Sequence, residues 1–272
     1  MAIYDCFQYF NEDHMVDLRL HILNKYVDFF VISESTKTHQ GEDKKQNFDF
    51  KNFKKYENKI KYVVADYNSD YSNEVNFFNH KGGESKIEKH QRNSIINGIK
   101  NAHDNDLIIL SDSDEIPDLT KLNQIKKTTK FTAFSQMMFM YKLNLQNLNE
   151  SNWIGSKICL KKYFPGAQKL RDLKFKNYPI WRIDKYNQQI ISGGWHFSFL
   201  QSPSDISRKI KSYSHGEFNT QENTDENIIE KKILQNKDIF DRGFKLKKIK
   251  IDSSFPEYIV NNQSILKEWI IV

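Results

Sequence analysis

The chain has 272 residues, with 41 Lys and Arg against 35 Asp and Glu for a net charge of +6, which suits one large domain or two small ones. A hydrophobic fraction of 38% that includes 14% aromatic residues can build a sizeable core, because each buried ring removes about 150–250 Å² from water, and this excludes a disordered chain. Ten glycines form neither a GxGxxG nor a GxxxxGK[ST] pattern, and two cysteines are too few for a disulfide framework or a Cys-ligated zinc site.

Residues 2–10 read as a strand, after which Asn11 and Asp13 offer caps for a helix that places Met15, Leu18, Ile22 and Leu23 on one face. Residues 27–33 (VDFFVIS) and 60–65 (IKYVVA) are the next strands. The polar stretch 36–53 between them lacks periodicity and reads as a long loop. Residues 84–103 predict a long helix with Ile87, Ile95, Ile99 and Ala102 near one side. The LIIL run at 107–110 is continuous and not alternating, as expected of a strand buried on both faces. Strand and helix thus alternate through the first 120 residues, which argues for α/β layers around a largely parallel sheet. From residue 131 the pattern changes to longer β segments at 131–143, 154–160, 180–183 and 190–200, with helices returning at 203–214 and 223–235. No repeat or low-complexity linker divides the chain, so the expected architecture is a single α/β domain built on a mixed sheet.

No apolar stretch reaches the ~18–20 residues that a membrane-spanning helix needs, and the first strand begins at once, so the expectation is a soluble cytoplasmic protein without a transmembrane segment. Basic pairs such as Lys44-Lys45, Lys126-Lys127 and Lys161-Lys162 lie scattered among acidic residues. They read as solvated surface, and no nucleic-acid partner is expected.

The sharpest chemical feature is Ser111-Asp112-Ser113-Asp114-Glu115-Ile116-Pro117, directly after the buried strand. An α/β sheet collects ligands at the carboxyl ends of its strands, and clustered carboxylates repel one another unless a cation neutralises them. On the preceding helix, Gln91-Arg92-Asn93 offers a guanidinium that can reach a diphosphate or a base.

Taken together, Arg92-Asn93, Gly98 and LIILSDSDE resemble the nucleotide-sugar half of glycosyltransferases with the GT-A fold. The likeness extends further. Residues 3–7 (IYDCF), Asn11-Glu12, Leu18-Arg19, the run 27–35 (VDFFVISES), DSDEIP at 112–117 and GGWHFS at 193–198 occur in the order seen in glycosyltransferase family 17. The segment FPEYIVNN at 255–262 looks like that family's closing segment. This family includes the enzyme that adds a bisecting N-acetylglucosamine to N-glycans through a β-1,4 linkage. The resemblance implies a GT-A-type, Rossmann-like mixed sheet flanked by helices in one domain over 1–272, with a nucleotide-sugar-binding half at 1–120 and an acceptor-binding half at 121–272. It also implies inverting transfer of a sugar, N-acetylglucosamine first among them, from a UDP-sugar donor to a glycan or glycoconjugate acceptor.

Such a reaction needs charge neutralisation on the departing diphosphate, which Mn²⁺ or Mg²⁺ supplies as a Lewis acid. Asp114 is the expected direct metal ligand and catalytic centre, with Asp112 on the metal or the ribose. His196 would complete the metal shell. Trp195 would form an apolar wall for a sugar ring, and Gly193 and Gly194 would admit a close backbone approach. Glu34 and Ser35 end a strand and are donor-binding candidates beside Arg92. Glu217 is the candidate for taking the acceptor's proton, with Asp172 and Asp184 behind it. Other readings are a GT-A transferase with a different donor sugar, a DxD phosphatase and a non-catalytic carbohydrate-binding module. The phosphatase pattern expects Thr or Ser and a Gly soon after the second Asp, where this chain has Glu115-Ile116-Pro117.

Overall fold

Cys6 and Phe7 are neighbours on the first strand, and both are fully buried in different cores, because successive side chains of a strand point to opposite faces. That strand, β1 (Ile3–Tyr9), is central to a sheet of ten strands in the computed structural model, which describes residues 1–67, 85–176, 187–212 and 216–271. It pairs in parallel with β2 (Phe29–Ser35) on one side and with β4 (Leu107–Ser111) on the other; β3 (Ile60–Ala65) continues the parallel run beyond β2. Beyond β4 the sheet turns antiparallel through β8 (Trp153–Leu160) and β6 (Phe131–Met140), and ends in the short strands β7 (Leu145–Asn147) and β10 (Leu246–Lys248). Off this line, β9 (Gln188–Ser198) runs parallel to β6 and pairs antiparallel with the three-residue β5 (Glu115–Pro117). This is the expected mixed α/β sheet. The strand expected at 180–183 lies outside the described residues.

Helices cover both faces. Helix α1 (Asp13–Leu23) buries Met15, Leu18 and Ile22 against Phe7, Phe30 and Ile32 of the sheet. On the other face, Ile95 and Ile99, which follow α2 (Lys86–Ser94), join a core of Cys6, Val31, Ile108 and Leu110, with Leu170 of α3 (Ala167–Asp172). A third core gathers Met138 and Met140 with Ile206 and Ile210 of α4 (Pro203–Ser212). Two short helices, α5 (Gln221–Thr224) and α6 (Glu226–Leu234), follow where one is expected, because the Asp225 side chain caps Asn227 and Ile228 and starts a new helix. The segment 257–261 forms α7 (Glu257–Asn261).

Two further expectations change in detail. The long loop 36–53 ends early in two short 3-10 turns within Phe50–Lys59, kinked at Phe53, which bury Phe53 and Tyr56. The long helix of 84–103 is α-helical only to Ser94 and tightens to a 3-10 turn at Ile95–Asn97, where β-branched side chains and Asn-Gly weaken the α-helix. Gly98 then comes so close to β2 that a Cβ on it would lie 2.3 Å from Cγ1 of Val31. Gly98→Ala, a change that usually stabilises a helix, should therefore cost about 1–3 kcal/mol and lower the urea midpoint. The double variant with Val31→Ala should recover most of the loss, and an unchanged midpoint for Gly98→Ala alone would show that β2 yields.

Candidate functional site

A buried arginine shapes the DSDE turn. Arg19, on the inner face of α1, makes two hydrogen bonds of 2.6 Å to the two carboxylate oxygens of Asp5 on β1, and both side chains are fully buried. Its remaining nitrogen donates to the Glu115 carbonyl at 2.5 Å and reaches the carbonyls of Asp112 and Ser113 at 3.3 and 3.4 Å. The turn between β4 and β5 is therefore held from below. Its carboxylates project into a cavity of about 390 Å³ at the carboxyl ends of β1, β4 and β9, where an α/β sheet takes its ligands.

The pairing of β5 with β9 delivers the histidine. Glu115 lies opposite His196 in the register, and the Phe197 amide donates to the Asp114 carbonyl at 2.9 Å. His196 Nε2 consequently sits 3.5 Å from Asp114 Oδ1. Lys209 of α4 approaches Asp114 Oδ2 at 3.9 Å and Glu12 at 3.2 Å, while Glu12 also accepts from the amides of Phe10 and Asn11. Asp112 faces other cations: Arg171 of α3 at 2.8 Å and Arg92 of α2 at 3.7 Å. Arg92 is itself held by Gln168 at 2.6 Å and Glu88 at 2.7 Å. Trp153 donates its indole N–H to Glu115 at 2.7 Å and packs its ring 4.8 Å from that of His196.

The electrostatics follow from this arrangement. Burial by itself would raise both aspartates, but His196 and Lys209 hold Asp114 far below the usual carboxylate range, and Arg171 and Arg92 hold Asp112 below it. Glu115 moves the other way, raised by burial and by the nearby Asp112 charge. Burial would lower His196, yet Asp114 raises it above the ordinary imidazole value near 6.5. A histidine raised on folding contributes stability that is fully present below about pH 6.5 and is lost as pH rises through its folded value. An NMR titration should thus find His196 protonated beyond the ordinary range, and Asp114→Asn should bring it down. An ordinary His196 titration in the wild-type chain would contradict the ion pair.

Among the described residues no three His, Cys, Asp or Glu side chains converge to hold a metal ion. Asp114 and His196 are the pair that fits one, offering a carboxylate oxygen and an imidazole nitrogen to the same space. Among the described residues His196 Nδ1 is buried without a hydrogen-bond partner while Nε2 faces Asp114, so a metal ion on this pair would displace the proton that Asp114 holds on the ring. Asp112 is turned to guanidinium groups.

Residues 1–245 match the family model described as glycosyltransferase family 17. The chain belongs to that family. No curated protein matches it. Among solved structures, a Bacillus anthracis protein assigned as a glucose-1-phosphate thymidylyltransferase, in complex with a sucrose, is similar with a TM-score of 0.38 and 11% identity over 71% of this chain and 88% of that one. HddC from Yersinia pseudotuberculosis complexed with GMP-PN gives 0.35 and 9% over 74% and 95%. Membership of family 17 makes the chain a glycosyltransferase, with a sugar donor and a glycan acceptor as substrates. None of its described helices is long and apolar enough to cross a membrane.

Within this family 17 chain, Asp112, Asp114, Arg92 and His196 line one cavity. The other sequence candidates lie elsewhere. Glu34 is fully buried and its two carboxylate oxygens accept from Lys44, from the amides of Asn47 and Phe48 at 2.7 and 3.1 Å, and from the Tyr62 hydroxyl at 2.8 Å. It fastens the loop that follows β2, and that loop brings Lys37, His39 and Lys44 to the cavity in its place. Ser35 accepts from the Lys37 amide. Trp195 faces the opposite side of the sheet from His196, as strand alternation requires, and donates to the Ser254 carbonyl at 3.1 Å; the indole in the cavity is Trp153. Gly194, with φ of +116°, permits the β5–β9 pairing, since a Cβ there would lie 2.5 Å from the Ile116 carbonyl. Glu217 is exposed on the turn Gly216–Phe218 and does not line the cavity. Asp172 accepts from Gln168, and Asp184 lies outside the described residues. Lys209, Glu12, Arg171 and Trp153 join the site without having been sequence candidates.

Proposed function

We propose that this cavity binds a nucleoside diphosphate sugar, UDP-N-acetylglucosamine first among them, and that the chain transfers the sugar with inversion to a hydroxyl of a glycan acceptor. The observation that carries the reading is the facing of Asp114 and His196 beside the cations Lys209, Arg92 and Arg171 at the strand ends. In this reaction the acceptor oxygen bonds to the anomeric carbon, the bond from that carbon to the diphosphate breaks, and its electron pair leaves with the diphosphate. The cations lining the cavity stabilise that developing charge, and they do so more strongly in a site from which water is partly excluded. Asp114 and His196 would hold Mn²⁺ or Mg²⁺, which when bound supplies Lewis-acid neutralisation of the diphosphate. Arg171 and Arg92 orient Asp112, keeping it ionised at the edge of the donor. The halves divide accordingly, with residues 1–120 carrying most of the donor site and 121–272 most of the acceptor side.

Glu217 enters this reading as proton acceptor from its sequence context. Ser212, five residues before it, lines the cavity. Glu217→Gln should lower kcat by about 10²-fold or more with UDP affinity unchanged; wild-type kcat would pass the role to a carboxylate of the cavity, beginning with Glu12.

Calorimetric titration of UDP and GDP, each with Mn²⁺ and with EDTA, tests the whole reading. Binding of UDP that needs both Mn²⁺ and Asp114 supports it. Failure of both nucleotides to bind under any condition overturns it.

A further inference from the structure

A cleft of about 730 Å³, larger than the Asp114 cavity, is on the other side of β9. Two segments singled out in the sequence meet there without serving the Asp114 cavity: the start of GGWHFS, at Gly193, Gly194 and Trp195, and the closing FPEYIVNN, at 255–262. Because Trp195 and His196 are consecutive on one strand, their side chains go to opposite faces, so the two clefts share β9 as a wall and do not merge.

The chemistry of this cleft differs from that of the donor cavity. Its two lysines and two carboxylates answer one another: Lys25 pairs with Glu257 at 3.0 Å, and Lys121 lies 3.8 Å from Asp118 while donating to the Ser192 carbonyl at 2.7 Å. The charges are thereby matched inside the cleft, and a neutral ligand leaves them so. The rest of the lining is uncharged or aromatic, and it includes ring surface, amides and the hydroxyls of Thr120 and Ser253. Tyr258 is stacked on His21 with ring centroids 4.4 Å apart and 20° between planes, which holds it in place before any ligand arrives. Tyr26 lines the same wall, and Asn152 and Asn261 present exposed side-chain amides. Aromatic faces suit the C–H faces of pyranose rings, and amides that both donate and accept suit their hydroxyls. The volume falls within the range of small-molecule sites.

We propose that this cleft is a second carbohydrate site, which binds a neutral oligosaccharide apart from the sugar being transferred. The choice of a saccharide over other neutral polar ligands rests on the transferase reading; the cleft and its chemistry do not.

The test uses the whole chain and saturation-transfer NMR with chitotriose, cellotriose, maltotriose and mannotriose, with a neutral tetrapeptide as control and no nucleotide present. At least one trisaccharide should bind. Tyr258→Leu, which keeps apolar bulk while removing the ring, and Asn261→Ala, at an exposed position where the fold has little at stake, should each weaken that binding by about tenfold. Asn261→Ala should keep the wild-type melting temperature, and Tyr258→Leu should melt within a few degrees of it because the stack on His21 is lost. Both should keep the wild-type UDP affinity, and Asp114→Asn should leave trisaccharide binding untouched. The proposal is overturned if no trisaccharide binds at millimolar concentration, if only the peptide binds, if both cleft variants bind like wild type, or if Asp114→Asn abolishes the binding. The two readings fail separately. Trisaccharide binding through Tyr258 in a chain that binds no nucleotide would remove the donor assignment and keep this site, whereas nucleotide binding without trisaccharide binding would do the reverse.

Discussion

Asp114→Asn is expected to lower the rate of sugar transfer by about 10²–10³-fold, the scale seen when one electrostatic contact to a transition state is lost, while circular dichroism stays native. The substitution keeps the shape of the side chain and removes its charge. Three consequences follow from the neighbours. His196 loses the carboxylate 3.5 Å away that keeps it protonated, and Lys209 is left with Glu12 as its close partner. A divalent ion would lose the anionic member of its candidate pair. The Asp114 carbonyl, which accepts from Phe197 and fixes β5 against β9, is unaffected because it belongs to the backbone. Folding and transfer should thus separate in this variant, with UDP affinity in Mn²⁺ falling alongside kcat. Near-wild-type transfer by a natively folded Asp114→Asn chain would remove Asp114 from the mechanism.

The residues of the site differ in how far the sequence announces them. Asp112 and Asp114 follow LIIL, and a continuous apolar run ending in carboxylates marks the carboxyl end of a buried strand. Glu34 follows VDFFVIS in the same manner, yet the structure spends its carboxylate on the next loop. The local pattern is equal in the two cases, and what differs is whether later chain returns to satisfy the oxygens. His196 is 82 residues from Asp114 and reaches it through the three-residue pairing of β5 with β9, a long-range register that periodicity does not encode. The alternation of β9 does show in the sequence that Trp195 and His196 face opposite ways, and it separates the aromatic wall from the metal candidate. Lys209, Arg171 and Glu12 come from helix faces or a turn, where a charged residue looks the same whether it meets solvent or a carboxylate across the fold. Arg19 is different. It lies four residues after Met15 and three before Ile22, on the apolar side of α1, and an ionisable group in that position demands a buried partner.

That partner is Asp5, and Arg19→Met should cost about 3–5 kcal/mol, because it leaves a fully buried carboxylate without its counter-charge. For a chain of this size the melting temperature should fall by about 5–10 °C. The guanidinium also packs 4.7 Å from the centre of the Phe7 ring, a contact that methionine keeps in part. Asp5→Asn should be nearly as costly, since it strands the arginine instead. The double variant Arg19→Met with Asp5→Leu replaces the pair by apolar groups and should recover much of the loss, as buried ion pairs often tolerate such exchange while their halves do not. Transfer should not recover with it. The Glu115, Ser113 and Asp112 carbonyls lose their common donor in the double variant, so the turn that aims Asp112 and Asp114 is no longer tied to α1. Thermal melting and initial rates measured on the same four proteins, wild type included, would therefore diverge. If the double variant regains both stability and rate, Arg19 is a structural cation alone; if either single variant melts within a degree or two of wild type, the buried pair does not carry the energy assigned to it.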